Sequence, residues 1–346
     1  MKNKSQQCGR PVRSGRPVRI VALGGGTGLS TVLRGLKEHV AGRKKEQTPR
    51  PIADLAAVVT VTDDGGSSGR LRREYQVLPP GDIRNCMVAL SKDEHLLGQL
   101  FQYRFPAGRG LAGHSFGNLF LTALTNVTGD FPEAVRVSAQ VLAIRGRIFP
   151  STAQNVTLEA ELKDGSVVAG ETNISKSRNR IRRVRLVPRR VRPVPEVLEA
   201  IRAADLILVG PGSLYTSIIP NLLVERVTEA VLHARATCVY IANLMTQPGE
   251  TENYSVADHV RAIYEHTRDG LFDFVVINRT RVTPRLLRRY EAQGAEPVEP
   301  SLKELARMGL SYVTADLLHQ DGVIRHDQAR LTKLLLDEFV QRGARR

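Results

Sequence analysis

The sequence contains no tryptophan, and aromatic residues make up only 5% of its 346 positions. A core built from it must be largely aliphatic, which favours α/β layering over an aromatic-rich β-sandwich. No run of about 18 apolar residues occurs, so no membrane-spanning helix is expected. No apolar segment follows the basic N-terminus, which argues against a secretory signal. The three cysteines, Cys8, Cys86 and Cys238, are far apart and follow neither metal nor disulfide spacing. They read as reduced thiols of a cytoplasmic protein, with Cys86 and Cys238 in its core.

What the chain has in surplus is positive charge, +15 at neutral pH. Residues 1–19 carry six Lys or Arg and residues 176–192 carry nine; neither segment holds an acid, and together they account for the whole surplus. The remaining chain is balanced, so the folded body is not a basic nucleic-acid surface. Residues 1–17 lack periodicity and read as a disordered basic leader. The segment 176–192 has no interleaved aromatic for base stacking and reads as a solvated basic hairpin or loop. Nucleic-acid binding through it is the weakest functional reading.

Apolar periodicity predicts a Rossmann-like, doubly wound, mostly parallel α/β sheet spanning residues 18–346 as one domain. A helical insertion is expected at about 79–150. A β-hairpin with an Asp164-Gly165 turn, followed by the basic segment, fills about 151–194. Strands are expected at Val18–Leu23, Leu55–Val61, Asp205–Val209, Thr237–Ile241 and Phe272–Ile277. Helices are expected from Leu29 to about Val40 and at Asn221–Ala234, 283–292 and 327–342, among others.

Three of these strands run into glycine-bearing loops. Gly24, Gly25, Gly26, Thr27 and Gly28 follow the first strand and open a helix, a place where backbone N–H groups can cradle an oxyanion. The spacing is neither G-x-G-x-x-G nor a Walker A loop, so NAD and P-loop assignments are not supported. Asp63 and Asp64 end the second strand, followed by Ser67 and Ser68. The carboxylates could hold Mg²⁺ or accept from ribose hydroxyls, and the serines could donate to phosphate. Gly210, Gly212 and Ser213 end the third strand. Each loop alone could be an ordinary tight turn, but three on one sheet argue for a crevice holding a phosphate-bearing ligand. Asp82, Arg84, Asn85, His114 and Asn118 place further polar groups at helix starts. Ser115 beside His114 lacks a G-x-S-x-G elbow and a fixed acid partner, so nucleophilic catalysis is rejected and no catalytic residue is assigned.

The motifs ALGGGTGLSTVLRGL, VTVTDDGGSSGRLR, PPGDIRNCMVAL, GHSFGNLFL, ILVGPGSLYTSIIPNLLV and NLMTQPGETENYSVADHV occur in that order. Together they resemble the bacterial gluconeogenesis factor family (YvcK-like), within the superfamily of 2-phospho-L-lactate transferase (CofD-like). The resemblance spans roughly residues 18–340. It implies a cytoplasmic regulatory protein that binds a UDP-sugar, notably UDP-N-acetylglucosamine. The implied role is in cell shape and cell-wall synthesis during gluconeogenic growth, with an unidentified cell-wall or metabolic regulatory protein as partner. By resemblance alone, Tyr290, before Ala295-Glu296-Pro297-Val298, and Arg325, beside His326, take the uridine end. The alternative is a Mg²⁺-dependent transferase acting on a nucleoside-diphosphate-activated group. No cofactor is firmly implied, Mg²⁺ is optional, and self-association is left open. The chain departs from the family pattern in its leader and in the arginine-heavy run around 178–192, both of which leave room for a further anionic partner.

Overall fold

The computed structural model describes residues 16–41, 51–92, 96–177 and 179–341. Most of the expected leader, with Cys8, lies outside them. Seven strands form one parallel sheet: β1 (Val18–Gly24), β2 (Ile52–Val59), β3 (Arg147–Pro150), β7 (Leu206–Val209), β8 (Thr237–Ile241), β9 (Phe274–Asn278) and β10 (Ser311–Ala315). Their spatial order is β10-β9-β8-β7-β1-β2-β3, with every neighbouring pair parallel. Covered on both faces, the central strands are unbroken apolar runs rather than alternating ones. VRIVALG of β1 buries all but Arg19, and LILV of β7 and TCVYI of β8 are wholly buried. Cys86 and Cys238 are free and buried, as expected, and burial pushes both thiols up.

The strand order fixes where a ligand can enter. The chain moves from β1 to β2 and β3 on one side, then returns to β7 and proceeds to β8, β9 and β10 on the other. Right-handed crossovers in opposite directions put successive helices on opposite faces and open a crevice at the strand ends where the direction reverses. That reversal lies between β1 and β7. After β1, helix α1 (Gly26–Leu36) buries Leu29, Val32, Leu33 and Leu36, a 3.6-residue stripe. Helices α2 (Gly66–Tyr75), α3 (Gly81–Leu90), α4 (Leu96–Gln102), α5 (Phe116–Thr128) and α6 (Phe131–Val141) fill the span between β2 and β3. This is the expected helical insertion.

A second, antiparallel sheet follows, ordered β5-β4-β6 from β4 (Thr157–Leu162), β5 (Val167–Ala169) and β6 (Ile181–Val187). The expected hairpin is β4 and β5. Of the two expectations for the basic segment, a solvated hairpin or a loop, the structure shows an antiparallel strand with its arginines in solvent. Helix α7 (Glu171–Lys176) takes its start, and β6 pairs with β4, burying Ile181, Val184 and Leu186 between its arginines. Those three apolar side chains supply the alternation that the charge count obscured. The expected helix Asn221–Ala234 is broken into α9 (Ile219–Leu222) and α10 (Val227–His233), because Arg226 adopts a left-handed conformation at φ 65°. Helices α8 (Pro195–Ala203), α11 (Val256–His266), α12 (Pro284–Glu291), α13 (Leu302–Arg307) and α14 (Gln328–Leu335), with the short pair β11 (Leu318–His319) and β12 (Arg325–His326), complete the fold. Strands β3 and β10 were not expected from the sequence. Among the described residues no helix is long and apolar enough to cross a membrane.

Candidate functional site

Two glycine loops meet at the reversal point. Gly28 sits so close to the third-strand loop that a β-carbon there would overlap the Pro211 carbonyl. The Gly24 carbonyl accepts from Thr60 N–H at 3.2 Å and from Asn221 Nδ2 at 2.9 Å. Gly210 holds φ +79°, the left-handed region that costs a side-chain-bearing residue about 1 kcal/mol or more. After Ser213 the backbone makes a π turn, Leu214–Ile218, with Ser217 and Ile218 N–H both donating to the Ser213 carbonyl at 3.0 Å. Such turns recur at functional sites because they displace a stretch of backbone from the regular helix.

Carboxyl groups crowd the same edge. Asp82, a first-turn acid of α3, lies with Oδ2 2.5 Å from where a β-carbon of Gly25 would stand, and it accepts from Gly26 N–H. Burial and then repulsion from Asp63 raise it to about 6. Glu250 is pushed up to about 7 by burial, against hydrogen bonds from Tyr215 N–H, Ser175 and Thr216. Glu171, at the start of α7, lies well above the carboxylate range, first through burial and then through Asp63, Asp82, Glu250 and Asp64. Burial thus favours the neutral form of Glu171, and Glu250 titrates near neutrality, where its acid form can donate a hydrogen bond. Thr62 Oγ1 stands 3.3 Å from both Glu171 Oε2 and the Thr216 carbonyl, joining the second loop to the third.

The paired Asp63 and Asp64 are held by different partners. Asp63 Oδ1 accepts from Gly65 N–H at 2.9 Å, whereas Asp64 Oδ1 accepts from Thr172 N–H at 2.8 Å and Oγ1 at 2.7 Å. Among the described residues no group of three or more His, Cys, Asp or Glu is placed to hold a metal ion. A Mg²⁺ there would rest on one or two carboxylates together with a ligand's phosphates.

The helix-start residues form a buried polar cluster beside this floor. Ser67 Oγ and His114 Nδ1 share a hydrogen bond of 2.9 Å, and Asn118 Nδ2 donates to Ser68 Oγ at 3.4 Å. Arg84 donates to Ser115 Oγ at 2.6 Å and to Asn85 Oδ1 at 2.8 Å. His114 is held below the ordinary imidazole value by burial and by Arg70 and Arg104. Asn118 Oδ1 and Arg84 Nε have no partner although buried. Buried groups of this kind normally find one, which sets these two atoms apart within the cluster.

Tyr290 and Arg325 lie together at a third corner. The Tyr290 hydroxyl accepts from Ile324 N–H at 3.0 Å, one residue before exposed Arg325. A ladder ties this corner to the glycine loops. Gly212 N–H donates to Asn243 Oδ1 and Asn243 Nδ2 returns a bond to the Gly212 carbonyl, at 3.2 and 2.9 Å. Gln247 Nε2 donates to Ser213 Oγ at 2.8 Å. The same loop zips to the segment after Tyr290: Thr246 N–H reaches the Glu296 carbonyl at 2.7 Å and Val298 N–H the Leu244 carbonyl at 3.1 Å. His326, buried and bonded to the Ala242 backbone, is held at about 4 by burial. The structure thus brings together Gly24 to Gly28, Gly210 to Ser213 and Asp82, with Asp63 alongside. It groups Ser67, Ser68, Arg84, Asn85, His114 and Asn118 next to them. Asp64 is turned toward α7, and Tyr290 and Arg325 join through the ladder. Glu171, Glu250, Asn243, Gln247 and Thr62 were not singled out from the sequence. Thr62 lay in the VTVTDDGGSSGRLR motif and Asn243, Gln247 and Glu250 in the NLMTQPGETENYSVADHV motif, whereas Glu171 carried no signal.

This architecture defines a doubly wound α/β protein whose glycine loops meet at its switch point. The model of the family 2-phospho-L-lactate transferase CofD matches residues 20–318, and the chain belongs to that family. It is 48% identical to a gluconeogenesis factor of Bacillus subtilis, over 93% of this chain and 98% of that protein. It is 46% identical to a putative gluconeogenesis factor of Aquifex aeolicus, over 93% and 96%. The crystal structure of a UPF0052-family protein from Bacillus halodurans superposes with a TM-score of 0.87 at 42% identity, covering 93% of this chain and all of that one.

Proposed function

We propose that the protein is a gluconeogenesis factor that works as a ligand-sensing regulator, binding a UDP-sugar such as UDP-N-acetylglucosamine and acting on cell-wall synthesis and cell shape. The reading rests chiefly on the ladder that joins two interlocked glycine loops at the switch point to the corner shared by Tyr290 and Arg325. The diphosphate would lie over Gly24–Gly28 and Gly210–Ser213, where backbone N–H groups and the α1 N-terminus favour an anion. The uracil would stack on Tyr290, with Arg325 bonding its carbonyls or a phosphate. Glu250, titrating near neutrality, can donate to the sugar or phosphate in its acid form, and the burial that favours neutral Glu171 lowers the negative charge of the floor. The ligand would act by shifting the population of partner-competent states. Calorimetric titration with UDP-N-acetylglucosamine, UDP-glucose, GDP and NAD, with and without Mg²⁺, tests the reading. Saturable binding of the UDP-sugars, abolished in Tyr290→Ala/Arg325→Ala, is expected. Unchanged affinity in that double variant would contradict the base site.

The tuned carboxyls of Asp82 and Glu250 favour a second reading, a Mg²⁺-dependent transferase of a nucleoside-diphosphate-activated group, since groups titrating near neutrality suit proton transfer. Multiple-turnover release of a nucleotide supports this reading, and recovery of intact ligand at stoichiometric binding excludes it.

A further inference from the structure

The arginine surplus that the sequence concentrates in residues 176–192 becomes, in the fold, one wall of a groove. β6 is an edge strand of the small sheet. Against it lies a cavity of about 340 Å³ lined by Arg183, Arg185 and Arg189, with Val184, Leu186 and, on the far wall, Leu223. Its one carboxylate, Glu161, already accepts from Arg182 at 2.6 Å, and Arg185 is paired with Glu159 at 2.8 Å. Arg183 and Arg189 are exposed and have no ion-pair partner among the described residues. From Arg183 to Leu186 basic and apolar side chains alternate along the strand, at the spacing an extended chain presents to a neighbour.

We propose that this groove is a docking site for an extended acidic segment of a partner protein, with carboxylates meeting Arg183 and Arg189 and interleaved apolar side chains packing on half-buried Leu223. Two features select a peptide over a nucleic acid. The lining contains no aromatic on which a base could stack, and its apolar floor and Glu161 offer nothing to a phosphate backbone. The groove is also connected to the large sheet. Val184 N–H donates to His266 Nε2 at 2.9 Å, and the His266 ring stands edge-on to Tyr215, 5.8 Å between centroids, within the π turn after Gly212. Leu223 caps α9, which continues from the same turn. The docking site stands independently of the nucleotide reading.

Fluorescence anisotropy on the whole chain tests it. The probes are a short labelled peptide of glutamates alternating with leucine and valine, its lysine counterpart, and a labelled single-stranded oligonucleotide. The acidic peptide should bind saturably and the lysine peptide should not. Arg183→Glu/Arg189→Glu should weaken binding at least about tenfold, because charges that meet across an interface become repulsive. Arg202→Glu/Arg235→Glu, which makes the same net charge change elsewhere on the surface, should change it less than about twofold. Thermal melts establish that both double variants fold. Equal weakening by the two pairs, no peptide binding, or tighter binding of the oligonucleotide through the same arginines would each overturn the proposal.

Discussion

Charge is handled in opposite ways at the two sheets. At the ends of the large sheet, carboxyl groups are withdrawn from water: Glu250 is only 5% exposed, and its neighbours Glu171 and Asp82 repel one another. On the small sheet, the surplus arginines remain in solvent, as in the Arg182–Glu161 and Arg185–Glu159 pairs, whose arginine side chains are 69% and 43% exposed. Burial converts charge into a shifted pKa and thus into a pH-dependent stability. Exposure leaves charge screened and worth little to the fold, but available to a partner. A net charge of +15 describes neither region.

The largest effect that can break this contrast lies at Glu250. Its carboxyl rises from 4.5 to about 7 in the fold. Between those values the folded state holds a proton that the unfolded state has released, so stability falls as pH rises through this window and the loss is complete above it. The wild type should lose about 3 kcal/mol relative to Glu250→Gln between pH 4.5 and pH 8, read from denaturant midpoints across that range. A constant difference would mean that Glu250 does not titrate in the fold.

Next in size is Gly28→Ala. The added methyl must displace the Pro211 backbone, which is itself held by Asn243, so a loss of about 2 kcal/mol is expected in chemical denaturation. Nucleotide-sugar affinity should fall with it. Tyr290→Phe removes only the hydroxyl that receives Ile324 N–H and should cost about 1 kcal/mol of stability. It should also raise hydrogen exchange at residues 322–326. The smallest effect belongs to the small sheet: Arg185→Ala should change stability by less than about 1 kcal/mol, and molar salt should erase the difference. A cost comparable with that of Gly28→Ala would remove the contrast between the two regions.

Much of the large sheet was legible because its strands are buried on both faces and end in glycine. Val18–Leu23, Leu55–Val61 and Asp205–Val209 announce themselves by β-branched runs meeting Gly24, Gly65 and Gly210. Two sheet strands escaped. RIFP of β3 is only four residues long, and Ser311–Ala315 of β10 is half-exposed at the sheet edge, so neither shows a buried apolar run. β6 was hidden by its arginines, because only Ile181, Val184 and Leu186 betray a strand. The glycine loops and helix starts of the site were readable one by one. What was not readable is which of them meet. Glu171 joins the acid floor from an insertion more than 100 residues after Asp63, through Thr62, and a single Glu after a hairpin carries no mark of that. Tyr290 and Arg325 entered through family resemblance alone. Their adjacency depends on the bond to Ile324, which only the folded chain displays.

The central claim, that the two interlocked glycine loops and the Tyr290–Arg325 corner form one site, is tested most directly by amide hydrogen exchange with and without UDP-N-acetylglucosamine. The account predicts slowed exchange at residues 24–30, 210–218 and 322–326 together, with the small-sheet strands, residues 157–162, 167–169 and 181–187, unchanged. Protection confined to one of these segments, or appearing on the small sheet instead, would contradict it.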